Sequence, residues 1–325
     1  MKLLYIINGF TGFHYNDQKI LESLGETVTL TYRKRWDIFN PKIIKYVYQS
    51  DKIIIWFASF HAIPAIIVNY FFNKPIFIIA GGFDVANVKN IKYGAMQRHP
   101  RKYIGRWILS NARKVIAVSN SNKHEIIING KVDRKKICLS YNAINLKIPN
   151  FDNNKQEQIL TVGEINEETV LRKGLDRYII IAREFPDIQF IHIGKWTNRR
   201  GESCESSINK IRAHAPKNIK FLGYVKKSIL EKYYKNSKIY LQLSRHEAFG
   251  LSVIEAMSYN CIPIVSDAFS LPEIIGENGF VVKNKKDCID AVKQSLSKSS
   301  KIDIKINPMF NIEYRRLFFQ RLLSK

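Results

Sequence analysis

Ser244-Arg245-His246-Glu247-Ala248-Phe249-Gly250-Leu251-Ser252-Val253-Ile254-Glu255-Ala256-Met257 is the stretch on which the reading of this 325-residue chain turns. It holds two carboxylates, Glu247 in a loop and Glu255 on a helix that starts between them. Gly250 lets the backbone turn tightly, and residues 251–257 are good helix formers with an apolar face, so a helix start is predicted near Phe249. A helix start beside a glycine offers unpaired N–H groups and the positive end of the helix dipole, which suits a phosphate. Carboxylates beside an anion site do not hold the anion; they are suited to accept hydrogen bonds from hydroxyls. Phosphate and hydroxyls together point to a nucleotide-sugar.

Outward from this stretch, short apolar runs alternate with helical patterns, as in the βαβ units of parallel sheets. Strands are predicted at 3–7, 27–31, 52–57, 76–80, 115–118 and 136–139, with helices at about 61–72 and 123–128. Residues 142–158, rich in Asn, Lys and Gln and containing Pro149, read as a linker. A second series of strands follows at 159–163, 188–193, 219–221, 239–243, 262–266 and 279–282, with helices starting near Lys173, Ser206, Lys227, Phe249, Leu271 and Asp287. The expected organisation is a first domain over 1–150 and a second over 151–306. A tail helix over 307–325, with Phe310, Tyr314, Phe318, Phe319 and Leu322 at helical spacing, is expected to pack back toward the first domain. Two α/β halves with parallel sheets put a cleft between them, where ligands bind at the C-terminal ends of strands.

An apolar fraction of 46% and an aromatic fraction of 12% set disorder aside. The net charge of +24 is uneven: residues 1–150 carry 23 Lys and Arg against 8 Asp and Glu, and residues 151–325 carry 29 against 20. That asymmetry implies an anionic partner for the first half, a membrane surface, nucleic acid or acidic polymer; a Lys/Ile/Asn-rich composition is the bland alternative. Against nucleic acid, the basic residues are dispersed and no recognised RNA or DNA module is present, so it is kept only within the alternative of a non-catalytic binder. Cys138, Cys204, Cys261 and Cys288 have no metal-ligand spacing and read as reduced thiols of a cytoplasmic protein. The apolar run of residues 3–7 ends too soon for a signal peptide and reads as a buried strand. Residues 53–72 approach the length of a membrane span, but Ser59, His61, Pro64 and Asn69 divide them into strand and helix. Tyr70, Phe71 and Phe72 are unusually apolar for a surface.

Residues 241–282 resemble the donor-binding core of the retaining GT-B glycosyltransferases of family 4, the glycosyl transferases group 1. The resemblance rests on Ser244, Glu247-Ala248-Phe249-Gly250-Leu251, Glu255-Ala256-Met257, the strand at 262–265, Ser266-Asp267 and Pro272-Glu273. It implies a GT-B fold, in which two Rossmann-like domains with parallel sheets face each other across a cleft. It also implies transfer of a sugar from a nucleotide-sugar donor to a glycan or lipid-linked acceptor, with retention and with no metal or other cofactor. In that frame Glu247 accepts hydrogen bonds from the donor sugar, Glu255 from the ribose, and the amides of Phe249, Gly250 and Leu251 bind the diphosphate.

Other positions follow from the same resemblance. Lys173, with Gly174, falls where the family clamps the leaving diphosphate; Glu164 stands where an arginine is expected, and Arg172 is the candidate replacement. Gly9 and Gly12 resemble the N-terminal glycine loop, and Tyr224 and Val225 the strand-loop that contacts the base. The family's histidine at the transferred sugar is absent, and Asp84 is its candidate replacement. His14 reads as a surface histidine, and Ser119, Ser121 and Asn142 as structural. Peripheral attachment to the inner membrane face is expected through Arg33-Lys34-Arg35, Arg98, Arg101-Lys102, Arg106 and Lys114, with Trp107 or Phe71 in the interface. Two other readings stay open: a non-catalytic basic protein on this scaffold, and a sugar-nucleotide epimerase or phosphorylase.

Overall fold

The computed structural model describes residues 1–9, 11–32, 37, 39–145, 155–166, 169–198, 202, 204, 206–297 and 304–324. Its contacts divide the chain into two units, Met1–Asn145 with Pro308–Lys325, and Leu146–Asn307. The Arg33-Lys34-Arg35 cluster and most of the expected linker lie outside the described residues.

The first unit runs β1 (Lys2–Ile7), α1 (Gly12–Leu24), β2 (Glu26–Thr31), α2 (Lys42–Gln49), β3 (Lys52–Trp56), α3 (Ile63–Phe72), β4 (Ile76–Ala80), α4 (Arg101–Ser110), β5 (Lys114–Ala117), α5 (Asn120–Ile128) and β6 (Ile137–Leu139). The strands form one parallel sheet in the order β2-β1-β3-β4-β5-β6. Ile53 to Trp56 and Ile76 to Ala80 are buried throughout, because helices cover both faces of the sheet. Helices α1, α2 and α4 escape the apolar pattern of the sequence. In α1 the reason is plain: its buried face is His14, Asp17, Ile20 and Leu21, so half of the expected apolar stripe is polar.

The second unit runs β7 (Gln156–Val162), α6 (Thr169–Arg172), α7 (Leu175–Arg183), β8 (Gln189–Ile193), α8 (Ser206–His214), β9 (Ile219–Phe221), α9 (Lys227–Asn236), β10 (Ser237–Gln242), α10 (Leu251–Ser258), β11 (Ile262–Ser266), α11 (Leu271–Ile275), β12 (Phe280–Val282) and α12 (Lys285–Ser297). Its sheet is also parallel, ordered β12-β11-β10-β7-β8-β9. Two helices begin later than predicted. Gly174 and Gly250 adopt φ of 69° and 97°, cap α7 and α10 from outside, and move the starts from Lys173 to Leu175 and from Phe249 to Leu251.

The tail forms α13 (Ile312–Leu323), which packs on α1 within the first unit. Its buried face is Arg315, Phe319 and Leu323; of the expected residues Phe310 and Phe319 are buried, Phe318 and Leu322 half-buried, and Tyr314 exposed. The guanidinium of Arg315 meets both oxygens of Asp17 at 2.5 and 2.7 Å and donates to the carbonyls of Ser140 and Tyr141 at 2.9 Å. Trp56 Nε1 donates to the same Asp17 at 2.9 Å. Full pairing is what permits a charge to sit there. The expected linker also begins later than its composition suggests: Asn142, Ala143 and Ile144 are buried, and Ile144 bridges Asn311. Among the described residues no helix is long and apolar enough to cross a membrane; residues 53–72 form β3, a turn and α3.

Candidate active site

In the second sheet β7 and β10 are neighbours whose following connections run to opposite sides, so the loops after them leave a crevice at their C-terminal ends. The loop after β7 leads through α6 to Lys173, and the loop after β10 carries Glu247. Lys173 Nζ donates to Glu247 Oε2 at 2.6 Å, with the side chains 21% and 14% accessible. The pair is therefore screened but open at its edge. Among the described residues no donor reaches Glu247 Oε1. Burial pushes the Glu247 carboxyl up, yet Lys173 and then Arg172 outweigh it and hold the group below the ordinary carboxylate range. Burial pulls the Lys173 ammonium down, Glu247 pulls it up, and Arg172 pushes it down again, leaving it below the usual lysine value. Arg172 thus sits within electrostatic reach of both.

Several residues that sequence reasoning did not assign brace this pair. Arg245 grips Asp176 with two bonds of 2.7 and 2.6 Å, donates to the Leu171 carbonyl at 2.7 Å, and its own amide donates to the Arg172 carbonyl at 2.7 Å. The turn that carries Lys173 is thereby fastened to the loop that carries Glu247. A Cβ on Gly174 would stand 1.9 Å from the Leu243 carbonyl, so only glycine lets α7 approach the end of β10 this closely. Ser270 Oγ donates to the carbonyls of Glu247 and Phe249 at 2.7 and 3.0 Å and pins the loop from the other side. Arg245 lies inside the run that opened the sequence analysis, but its partner is 69 positions away, and nothing in the sequence pairs them.

Phe249 is buried, Gly250 turns the chain, and Leu251 opens α10, with no side chain capping the helix. The Val253 amide bonds back to the Gly250 carbonyl at 3.0 Å, so the N–H groups that face an outside acceptor near Glu247 are those of Leu251 and Ser252. Glu255 lies one turn further along α10, half-buried, and accepts from Tyr234 Oη at 3.1 Å; burial raises its pKa. Tyr224 and Val225 follow β9 at the sheet edge, Tyr224 exposed with Lys195 Nζ 5.3 Å from its ring centre. Glu164, in the place of the expected arginine, bonds the Thr197 hydroxyl and accepts from Asn166 Nδ2 at 3.3 Å.

The first unit has its own switch point, between β1 and β3. Gly9 lies in the loop after β1, but Gly12 is the first residue of α1 and not part of that loop. Asp84 does not present a free carboxylate: Oδ1 accepts from the amides of Gly81 and Gly82 at 3.1 and 3.0 Å, and Oδ2 from that of Ala58 at 2.9 Å. It ties the loop after β4 to the loop after β3, and burial pushes its carboxyl up to about 6 against the pull of those amides. His14 is buried and not a surface residue, edge-on to Trp56 and Phe57 with ring centres 5.2 and 5.7 Å away, and burial lowers its pKa to about 4. Ser119 caps α5 through the Asn122 amide at 2.9 Å. Among the described residues no three His, Cys, Asp or Glu side chains gather as a metal site.

Residues 144–305 match the family described as glycosyl transferases group 1. The chain is 27% identical over 186 residues to an uncharacterized 41.2 kDa protein in the cps region of Klebsiella pneumoniae, which covers 54% of this chain and 48% of that protein. It is 38% identical over 84 residues to the O-antigen chain mannosyltransferase B of Escherichia coli, covering 25% and 22%. Each match thus spans less than half of the relative. Among solved structures, the apo lipopolysaccharide outer core galactosyltransferase WaaB superposes with a TM-score of 0.67 at 16% identity, over 100% of this chain and 99% of that one. Anabaena HepE, in complex with UDP and glucose, gives 0.79 at 14% identity over the same shares. These structural likenesses are likenesses of fold.

Proposed function

Because residues 144–305 belong to the glycosyl transferases group 1 family and the fold is that of the GT-B glycosyltransferases, we propose that this chain transfers a sugar from a UDP- or GDP-sugar to a hydroxyl of a glycan or lipid-linked acceptor. The observation that carries the reading is the Lys173–Glu247 pair at the switch point, beside the uncapped start of α10. The donor diphosphate lies on the first-turn N–H groups of α10 and between Lys173 and Arg172. Glu247 Oε1 then accepts from the sugar hydroxyls, and Glu255 from the ribose. A site built to pair with hydroxyls discriminates strongly, because a missing hydroxyl leaves a buried acceptor unpaired.

In this reading the glycosidic C–O bond breaks as Lys173 and Arg172 take up the charge developing on the leaving phosphate oxygen. The acceptor hydroxyl attacks from the same face and gives its proton to that oxygen, so configuration is retained with no enzyme-bound sugar. Charge neutralisation falls to the two cations and the helix start, and no metal is called for. Glu164 is held by Thr197 and Asn166, which leaves Arg172 as the second cation of the clamp. The O-antigen and lipopolysaccharide in the names of two similar proteins favour cell-surface polysaccharide or glycolipid synthesis. The basic first unit fits peripheral attachment to the cytoplasmic face of an anionic membrane.

The test is a panel of nucleotide-sugars. UDP or GDP is expected to raise the melting temperature, and Glu247→Ala to abolish transfer while leaving the folded spectrum unchanged. Near-normal turnover in that variant would remove Glu247 from the donor site. Donor conversion without any acceptor would identify an epimerase or phosphorylase, and stabilisation by anionic vesicles alone a non-catalytic binder.

A further inference from the structure

We infer that the outer face of α2 and α3 is a docking surface for an anionic lipid bilayer, with a lipid phosphate seated between Lys74 and Arg113. The inference rests on the membrane part of the reading above, not on sugar transfer, and adds where the contact is made. Ile44 and Tyr48, four positions apart on α2, are 54% and 64% exposed; Ile67, Tyr70 and Phe71 on α3 are 50%, 63% and 84% exposed. The two helices pack side by side, and the rings of Tyr48 and Phe72 lie 5.5 Å apart. A single exposed apolar side chain is ordinary, but five on two neighbouring helices form a patch that water does not favour.

The charges around this patch are of one sign. Helix α3 has no charged residue, α2 has only Lys42 and Lys45, and both lysines are exposed. Asp51 is the sole acid from residue 42 to 75, and it accepts from the backbone amide of Lys2 at 2.7 Å. At the C-terminal end of α3 lies an open hollow lined by Asn73, Lys74, Asn111 and Arg113 and bordered by Tyr70. Tyr70 Oη donates to Asn111 Oδ1 at 3.0 Å, so the aromatic edge and the polar hollow are one surface. Among the described residues no carboxylate pairs with Lys74 or Arg113. An apolar face that enters the acyl boundary, beside cations at headgroup depth, is what an anionic bilayer recognises. A second copy of the chain fits poorly, since it would bring the same lysines face to face.

The experiment is co-sedimentation of the full chain with phosphatidylcholine vesicles with and without phosphatidylglycerol, at low and high salt. Wild-type protein is expected on the anionic vesicles at low salt only. Ile67→Ser with Phe71→Ser should weaken that binding about tenfold, and Lys74→Gln with Arg113→Gln about twentyfold. Lys286→Gln with Lys293→Gln, two exposed lysines on α12 of the second unit, should change it less than about threefold. All these side chains are solvent-accessible, and circular dichroism checks that the variants fold. If both α2–α3 variants bind like wild type, the location is wrong while the membrane reading stands. If wild type binds no vesicles, or binds them equally without phosphatidylglycerol, or forms a dimer that Phe71→Ser dissolves, the proposal is overturned. UDP or GDP binding in free solution is read separately, so failure here leaves the donor-site reading untouched.

Discussion

Two ion pairs, one in each unit, join residues far apart in the sequence, and they differ in what surrounds them. Asp17 and Arg315 are each 1% accessible; Trp56 donates to Asp17, and the Ser140 and Tyr141 carbonyls accept from Arg315. Lys173 and Glu247 are 21% and 14% accessible, with no donor on one carboxylate oxygen among the described residues and an uncapped helix start beside it. The two sheets are built alike, so the strands do not make the difference; the loops do. In the first unit Asp84, near the strand ends, is closed by three backbone amides, although His14 Nε2 and Tyr32 Oη are buried without a partner among the described residues. In the second, a charged pair is held in place and left incomplete. A satisfied polar group is scaffold, and an oriented but unsatisfied one is a site.

The largest effect that tests this contrast belongs to the sealed pair. Arg315→Ala leaves the buried Asp17 side chain without its cation, which should cost about 3–5 kcal/mol of stability. Urea unfolding followed by tryptophan fluorescence measures it, since Trp56 bonds the same carboxylate. A loss below about 1 kcal/mol would mean that water enters and the pair is not sealed. The open pair should respond in turnover. Lys173→Ala is expected to lower kcat about 10²–10³-fold, through lost stabilisation of the leaving diphosphate. Asp84→Asn, in protein that remains folded, should keep turnover within a factor of about three if its carboxylate serves only backbone amides. Should Asp84→Asn prove as damaging to kcat as Lys173→Ala, the contrast between the units would collapse.

The strands of both sheets are legible because buried parallel strands are continuous apolar runs, as at residues 53–56 and 76–80. Helices α1 and α13 are harder to read, since each buries a charged residue whose opposite charge lies on the other, and neither carries a local sign of that partner. The donor-side residues Glu247, Gly250 and Glu255 share one run, so their spacing shows. The bond from Lys173 to Glu247 spans 74 positions; the resemblance puts both residues at the donor but does not pair them. Arg245 to Asp176 and Tyr234 to Glu255 have no sequence signal at all: arginine, aspartate and tyrosine at those positions look like ordinary solvated residues until the loops come together. His14 misleads for the opposite reason, because an imidazole packs on aromatic rings as readily as it meets water.

His14 gives the smallest of these effects. Its folded pKa, about 4, lies below the ordinary histidine value of 6.5, because burial disfavours the imidazolium. The fold therefore selects the neutral ring. The stability this contributes is present above pH 6.5 and is lost as the pH falls through the folded value near 4. At pH 4.5 the loss amounts to about 2 kcal/mol. His14→Leu keeps an apolar body against Trp56 and Phe57 and cannot take up the proton. The difference in unfolding free energy between pH 7 and pH 4.5 should shrink by that amount, with turnover at pH 7 within about threefold of wild type. An unchanged pH response would show that His14 is hydrated and titrates normally. A collapse of turnover at pH 7 with the fold intact would instead move His14, and the β1–β3 strand ends with it, from scaffold to site.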